Sequence, residues 1–163
     1  MTGTEAPSAV VRYGPEEELR AVVDEPGRGG TYALVVELAT PSAVEIGALG
    51  TSHLAAGSYA YVGSALGPGR FARVERHRRH LDGDGDTVHW HVDALTTHPA
   101  TSFVAALLVP GVDVECALAS RLPPGPVDGF GSSDCGCRSH LSACSPAVVE
   151  RRVAALVSAD DSA

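Results

Sequence analysis

The chain has 163 residues, enough for one domain with its own core, and an ordinary soluble composition of 44% hydrophobic and 5% aromatic residues. Its longest apolar runs, such as Phe103 to Val109, are too short to span a bilayer, so no membrane role is expected. The formal charge is -8 and all twelve cations are arginine, an acidic balance that argues against a uniformly basic nucleic-acid protein.

From the start, Met1 leads into Thr-Gly-Thr-Glu with neither a basic nor an apolar leader, and a cytoplasmic chain is expected. Residues 1–28 are rich in Pro, Gly and Glu and read as a partly disordered extension, with one short helix over Pro15 to Asp24. Tyr32 to Leu38 is a strand apolar enough to be buried on both faces. Pro41 ends it. Val44 to Leu49 is a second short strand, and Ser58 to Gly63 a third.

A turn over Ala65 to Gly69 hands over to a helix, Arg70 to His80, with Phe71 and Val74 as its core contacts. Five of the twelve arginines (Arg70, Arg73, Arg76, Arg78 and Arg79) fall in this segment. Arg73 with His77, and Arg76 with His80, stand four apart, each pair on one face and about 6 Å apart along the axis. A cationic stripe on an anionic chain suits phosphate oxygens, for which guanidinium forks are the natural donors; a solvated helix face is the plainer account of the same residues.

Asp82 to Asp86 is a polar loop without the glutamate that a calcium loop requires. His89 to Thr97 is ambiguous: as a strand it puts His89, His91 and Asp93 on one face at steps of about 7 Å. As a helix it pairs His89 with Asp93 and turns His91 elsewhere. Phe103 to Val109 is a buried strand turned by Gly111, Val114 to Leu122 a helix stopped by Pro123-Pro124, and 125–144 a loop rich in Gly, Ser and Cys. Pro146 starts a final amphipathic helix through about Val157, with a frayed acidic tail to residue 163.

Cys135, Cys137 and His140 give C-x-C-x-x-H, with Cys116 and Cys144 as candidate fourth ligands. Two readings stand: a zinc site that pins the loop to the helix of Glu115, with Cys116 facing a different side of that helix from Glu115, or small cysteines packing a tight loop.

Gly30-Thr31-Tyr32, then Tyr61-Val62-Gly63, then Arg73 with His77 one turn later resembles the GIY-YIG nuclease superfamily. The fuller run over Gly29 to Leu141, including Val-Glu-Cys-Ala-Leu-Ala and Phe-Gly-Ser-Ser-Asp-Cys-Gly-Cys, is similar to its Uri-type endonuclease branch. The resemblance implies an α+β domain over 29–145, a small three-stranded antiparallel sheet flanked by helices, with residues 146–163 beyond it. It implies phosphodiester hydrolysis with one magnesium or manganese ion. Tyr32 and Tyr61 would handle the water, Arg73 would stabilise the transition state, and Glu115, on the helix after the last core strand, would hold the metal. The family also favours a helix before that strand. Twenty-eight residues lie between Tyr32 and Tyr61, more than in simple members, so an extra strand or loop is expected there.

The expected function is thus a metal-dependent endonuclease acting on DNA in preference to RNA, with Arg70, Arg76, His77, Arg79, His89 and His91 gripping the backbone. The chain would be a monomer directed by a protein partner. The alternative is a nucleic-acid-binding module with a structural zinc and no turnover.

Overall fold

The computed structural model describes residues 10–22, 29–67, 70–83, 91–123, 125–131 and 137–162. The expected α+β class holds, with more strands than expected. Seven strands are described: β1 (Val11–Tyr13), β2 (Gly30–Leu38), β3 (Ser42–Glu45), β4 (Thr51–Leu54), β5 (Gly57–Ser64), β6 (Thr101–Pro110) and β7 (Leu141–Ala143). The helices are α1 (Leu19–Val22), α2 (Ala72–Leu81), α3 (His91–Thr96), α4 (Glu115–Arg121) and α5 (Pro146–Ser162).

The main sheet has the order β1-β6-β2-β5-β7, and every pair in it is antiparallel. The sheet has five strands where the resemblance implied three, and β6-β2-β5 form its centre. Two short strands widen it: β1 pairs Val11 with Leu108, and β7 pairs Leu141 with Tyr61. Val11–Tyr13 therefore belongs to the sheet although composition read its surroundings as an extension.

Strand β2 shows why the sheet is covered on both sides. Its side chains alternate, so Tyr32, Leu34, Val36 and Leu38 join one core with Phe71, Val74, Val92 and Leu95 from the α2 and α3 side. Ala33 and Val35 join the other with Leu118 and Leu122 at α4 and Val149, Val153 and Leu156 of α5. A continuous apolar run is what a strand needs when helices cover both faces.

The insert between the motif strands is a separate hairpin, β3 with β4. Its first strand ends at Glu45, short of the expected Leu49, because Gly47–Leu49 is a 3-10 turn. Gly47 opens it and Gly50 follows it, with positive φ of 46° and 81°, which reverses the chain where a strand would have continued. Val44, Ile46 and Leu54 of the hairpin are buried in the first core.

Candidate active site

Strands β2 and β5 lie side by side with Tyr32 opposite Gly63 and Leu34 opposite Tyr61. Both tyrosines therefore rise from one face, their ring centroids 6.2 Å apart. A Cβ built at Gly63 would lie 2.4 Å from both Cζ and the hydroxyl oxygen of Tyr32. The glycine of the second tripeptide is thus the space into which the tyrosine of the first lies.

Helix α2 adds His77 and Arg73 from the same side. The Tyr32 hydroxyl is 2.8 Å from His77 Nε2, and both side chains are buried. The His77 ring stands edge-on to Tyr61 with centroids 6.2 Å apart. Burial drives the His77 pKa down to about 3; Asp93 opposes the shift, while Arg76, His80 and Arg73 add to it. His77 is a neutral imidazole at physiological pH. Burial also pushes both phenols up, Tyr32 with help from Tyr61 and Glu115, and Tyr61 with help from Glu115. The Arg73 charge opposes the shift at both. Arg73 is anchored by a 3.0 Å hydrogen bond from Nη1 to the Ser64 carbonyl at the end of β5.

Glu115 arrives from the opposite side of the sheet, at the first residue of α4. Thr31 brings it there: its hydroxyl donates to the Val112 carbonyl and accepts the Val114 N–H, both at 2.9 Å. The residue between Gly30 and Tyr32 is therefore the clasp that sets the approach to α4. One Glu115 oxygen lies 3.1 Å from His140 Nδ1, which is also 3.1 Å from the Val62 carbonyl. Two acceptors facing Nδ1 assign the ring proton to it and leave the lone pair on Nε2.

The ligand atoms of Cys116, Cys137 and His140 all lie within 4.8 Å of one another, and this cluster could hold a metal ion. Cys144 is not part of it, and Cys135 lies outside the described residues. Cys116 and Glu115, adjacent in α4, both approach His140, which is inserted between β5 and the first turn of that helix.

The proposed phosphate grip is redistributed. His77 is fully buried against Tyr32 and cannot reach a backbone in solvent. Arg76 forms two hydrogen bonds of 3.0 and 2.9 Å with the carboxylate of Asp93, which is itself fully buried, so this arginine is chiefly structural. His80 lies 3.7 Å from the same carboxylate. Segment 91–96 is a helix, so His91 and Asp93 do not share a face. His91 Nδ1 accepts the Gly131 N–H at 2.9 Å, and His89 lies outside the described residues. Arg70 and Arg79 are exposed, as a grip requires, although Arg70 also donates to the carbonyls of Leu66 and Gly67.

Three partners were not foreseen. Asp93 holds α2 to α3 through Arg76. Arg78 donates to the Tyr13 hydroxyl at 2.9 Å and lies 5.3 Å from the centroids of both Tyr13 and Phe103, fastening β1 to α2. Thr31 carried a faint signal, a lone hydroxyl in an apolar run; Asp93 and Arg78 stood out in the sequence for their charge, not for these partners.

A sheet with helices on both faces, and a buried cluster of Tyr32, Tyr61 and His77 with Arg73 beside it, define an α+β domain with a polar site at one end of its central strands. The chain belongs to the family described as Domain of unknown function DUF123, whose family model matches residues 31–160. No curated protein and no solved structure matches it. Among the described residues, no helix is long and apolar enough to cross a membrane.

Proposed function

We propose that the chain is a metal-dependent endonuclease that hydrolyses phosphodiester bonds of nucleic acid, DNA in preference to RNA. The observation that carries this reading is the packing of Tyr32, Tyr61 and His77 into one cluster, whose two phenols feel the opposed charges of Arg73 and Glu115. Residues 83 positions apart in sequence, Tyr32 and Glu115, share one electrostatic neighbourhood.

The residues suit a hard divalent ion. Magnesium needs few protein ligands beyond one or two carboxylates, the rest being water and substrate phosphate, and the Glu115 side chain keeps 25% of its surface exposed. Bound there, magnesium or manganese would polarise the phosphate and lower the pKa of water. Tyr61, the less buried of the two phenols, orients the attacking water. Tyr32 is held by His77, a neutral imidazole that shares a hydrogen bond with the phenol across the 2.8 Å contact and so fixes its orientation. Arg73 neutralises charge that builds on the phosphoryl oxygens. Arg70 and Arg79 engage the flanking backbone. The chain carries a net charge of -8, too acidic to search nucleic acid by long-range attraction, and so a protein partner directs this cytoplasmic monomer to its target.

The second reading, a nucleic-acid-binding module that does not cut, is favoured by the Cys116, Cys137 and His140 cluster, which would give it a structural zinc. Incubating the protein with labelled single-stranded, duplex and branched DNA and RNA, with and without magnesium or manganese, separates the two. The nuclease reading expects metal-dependent products. Binding without products across the panel selects the module.

A further inference from the structure

We infer that Cys116, Cys137 and His140 hold a zinc ion, with the Glu115 carboxylate, 3.1 Å from the His140 ring, as the outer partner of that ligand. The donor set decides the metal. Two thiols and an imidazole select a borderline-soft ion, and a hard one such as magnesium is disfavoured. The ligand atoms lie within 4.8 Å of one another. Around tetrahedral zinc, with Zn–S bonds near 2.3 Å, two sulfurs sit about 3.8 Å apart, so side-chain rotation of an exposed Cys116 and a half-buried Cys137 closes the set.

The imidazole is prepared for this. With its Nδ1 proton donated to the Val62 carbonyl and the Glu115 carboxylate 3.1 Å from the same nitrogen, His140 presents Nε2 as the ligating nitrogen. A carboxylate accepting from the remote N–H of a metal-bound histidine fixes the ring and raises its basicity, and loss of such a partner typically weakens metal affinity about 10- to 100-fold. The sequence positions of the ligands say what the ion does. Cys116 is on the first turn of α4, while Cys137 and His140 lead into β7. A shared ion ties the end of the loop to that helix, beside the carboxylate at the tyrosine cluster. Glu115 is thereby a positioning residue for the zinc site, whatever it does towards a nucleic acid.

The test needs no substrate. The protein is purified under reducing conditions and its zinc content measured, and cobalt(II) is then titrated into the metal-stripped chain. The inference expects about one zinc per chain and the intense visible bands and thiolate charge-transfer band of tetrahedral cobalt. Cys116→Ser and Cys137→Ser should each abolish the charge-transfer spectrum or weaken binding at least 100-fold, and Cys144→Ser should leave it unchanged. Glu115→Gln should keep the stoichiometry and weaken zinc binding about 10-fold or more. Cys116 is exposed, so its variant tests the site without disturbing the core. A chain without zinc and with only octahedral cobalt spectra overturns the site. Unchanged zinc affinity in Glu115→Gln overturns the link to Glu115. Neither result bears on cleavage, so a failure here is distinct from a failure of the nuclease reading.

Discussion

The hydroxyl of Tyr32 and Nε2 of His77 are 2.8 Å apart in a setting that excludes water from both, and this contact joins the first strand of the site to the arginine-rich helix. Because the imidazole is kept neutral, the pair holds one proton between two uncharged groups.

Acid should expose that arrangement. His77 takes a proton near 6.5 when unfolded and near 3 when folded, so below 6.5 the unfolded chain binds more protons. The stability contributed by neutral His77 is complete above 6.5 and is lost as the pH falls towards 3. Between pH 7 and 4.5 the loss attributable to this residue should be about 2–3 kcal/mol. Urea denaturation of wild type and His77→Gln across that range checks it: the variant's stability should fall less steeply. Parallel curves would remove His77 as the origin.

Gly63→Ala should displace Tyr32, since the new methyl would lie 2.4 Å from its ring and hydroxyl. Overpacking at so close a distance costs about 1–3 kcal/mol. The shift should appear in thermal denaturation and in the Tyr32 resonances. An alanine variant of wild-type stability would mean that the ring lies elsewhere.

Arg76→Ala should destabilise the chain rather than weaken nucleic-acid binding. It removes two hydrogen bonds and the guanidinium charge from the fully buried Asp93 carboxylate, a loss of about 3 kcal/mol, reduced from that of a wholly enclosed pair because Arg76 keeps 22% of its side chain exposed. Chemical denaturation together with binding at fixed salt distinguishes the roles. Full stability with lost binding would return Arg76 to the phosphate grip.

The central strands were legible because burial on both faces leaves an unbroken apolar run, as in Tyr32 to Leu38. The arginine helix was legible from its charge spacing and from Phe71 and Val74. The edge strands were not. Val11–Tyr13 and Leu141–Ala143 are three residues each, too short to show a period, and they exist because long-range partners at Leu108 and Tyr61 await them. The same limit applies at the site. Charge spacing brought Arg73, His77 and Arg76 to notice together, but it could not say that His77 turns into the core while Arg76 meets Asp93. His140 was visible only as a neighbour of cysteines; its approach to Glu115 depends on how β5 and α4 converge.

The most direct test of the central claim is single-turnover cleavage of a DNA substrate that the wild type cuts, with magnesium or manganese, by Arg73→Ala and Glu115→Ala, with binding measured in parallel. Each variant should bind within a few-fold of wild type and cleave about 100- to 1,000-fold more slowly, the usual loss on removing one group that stabilises transition-state charge. Undiminished cleavage by either variant would contradict the assignment of that residue, and undiminished cleavage by both would contradict the site.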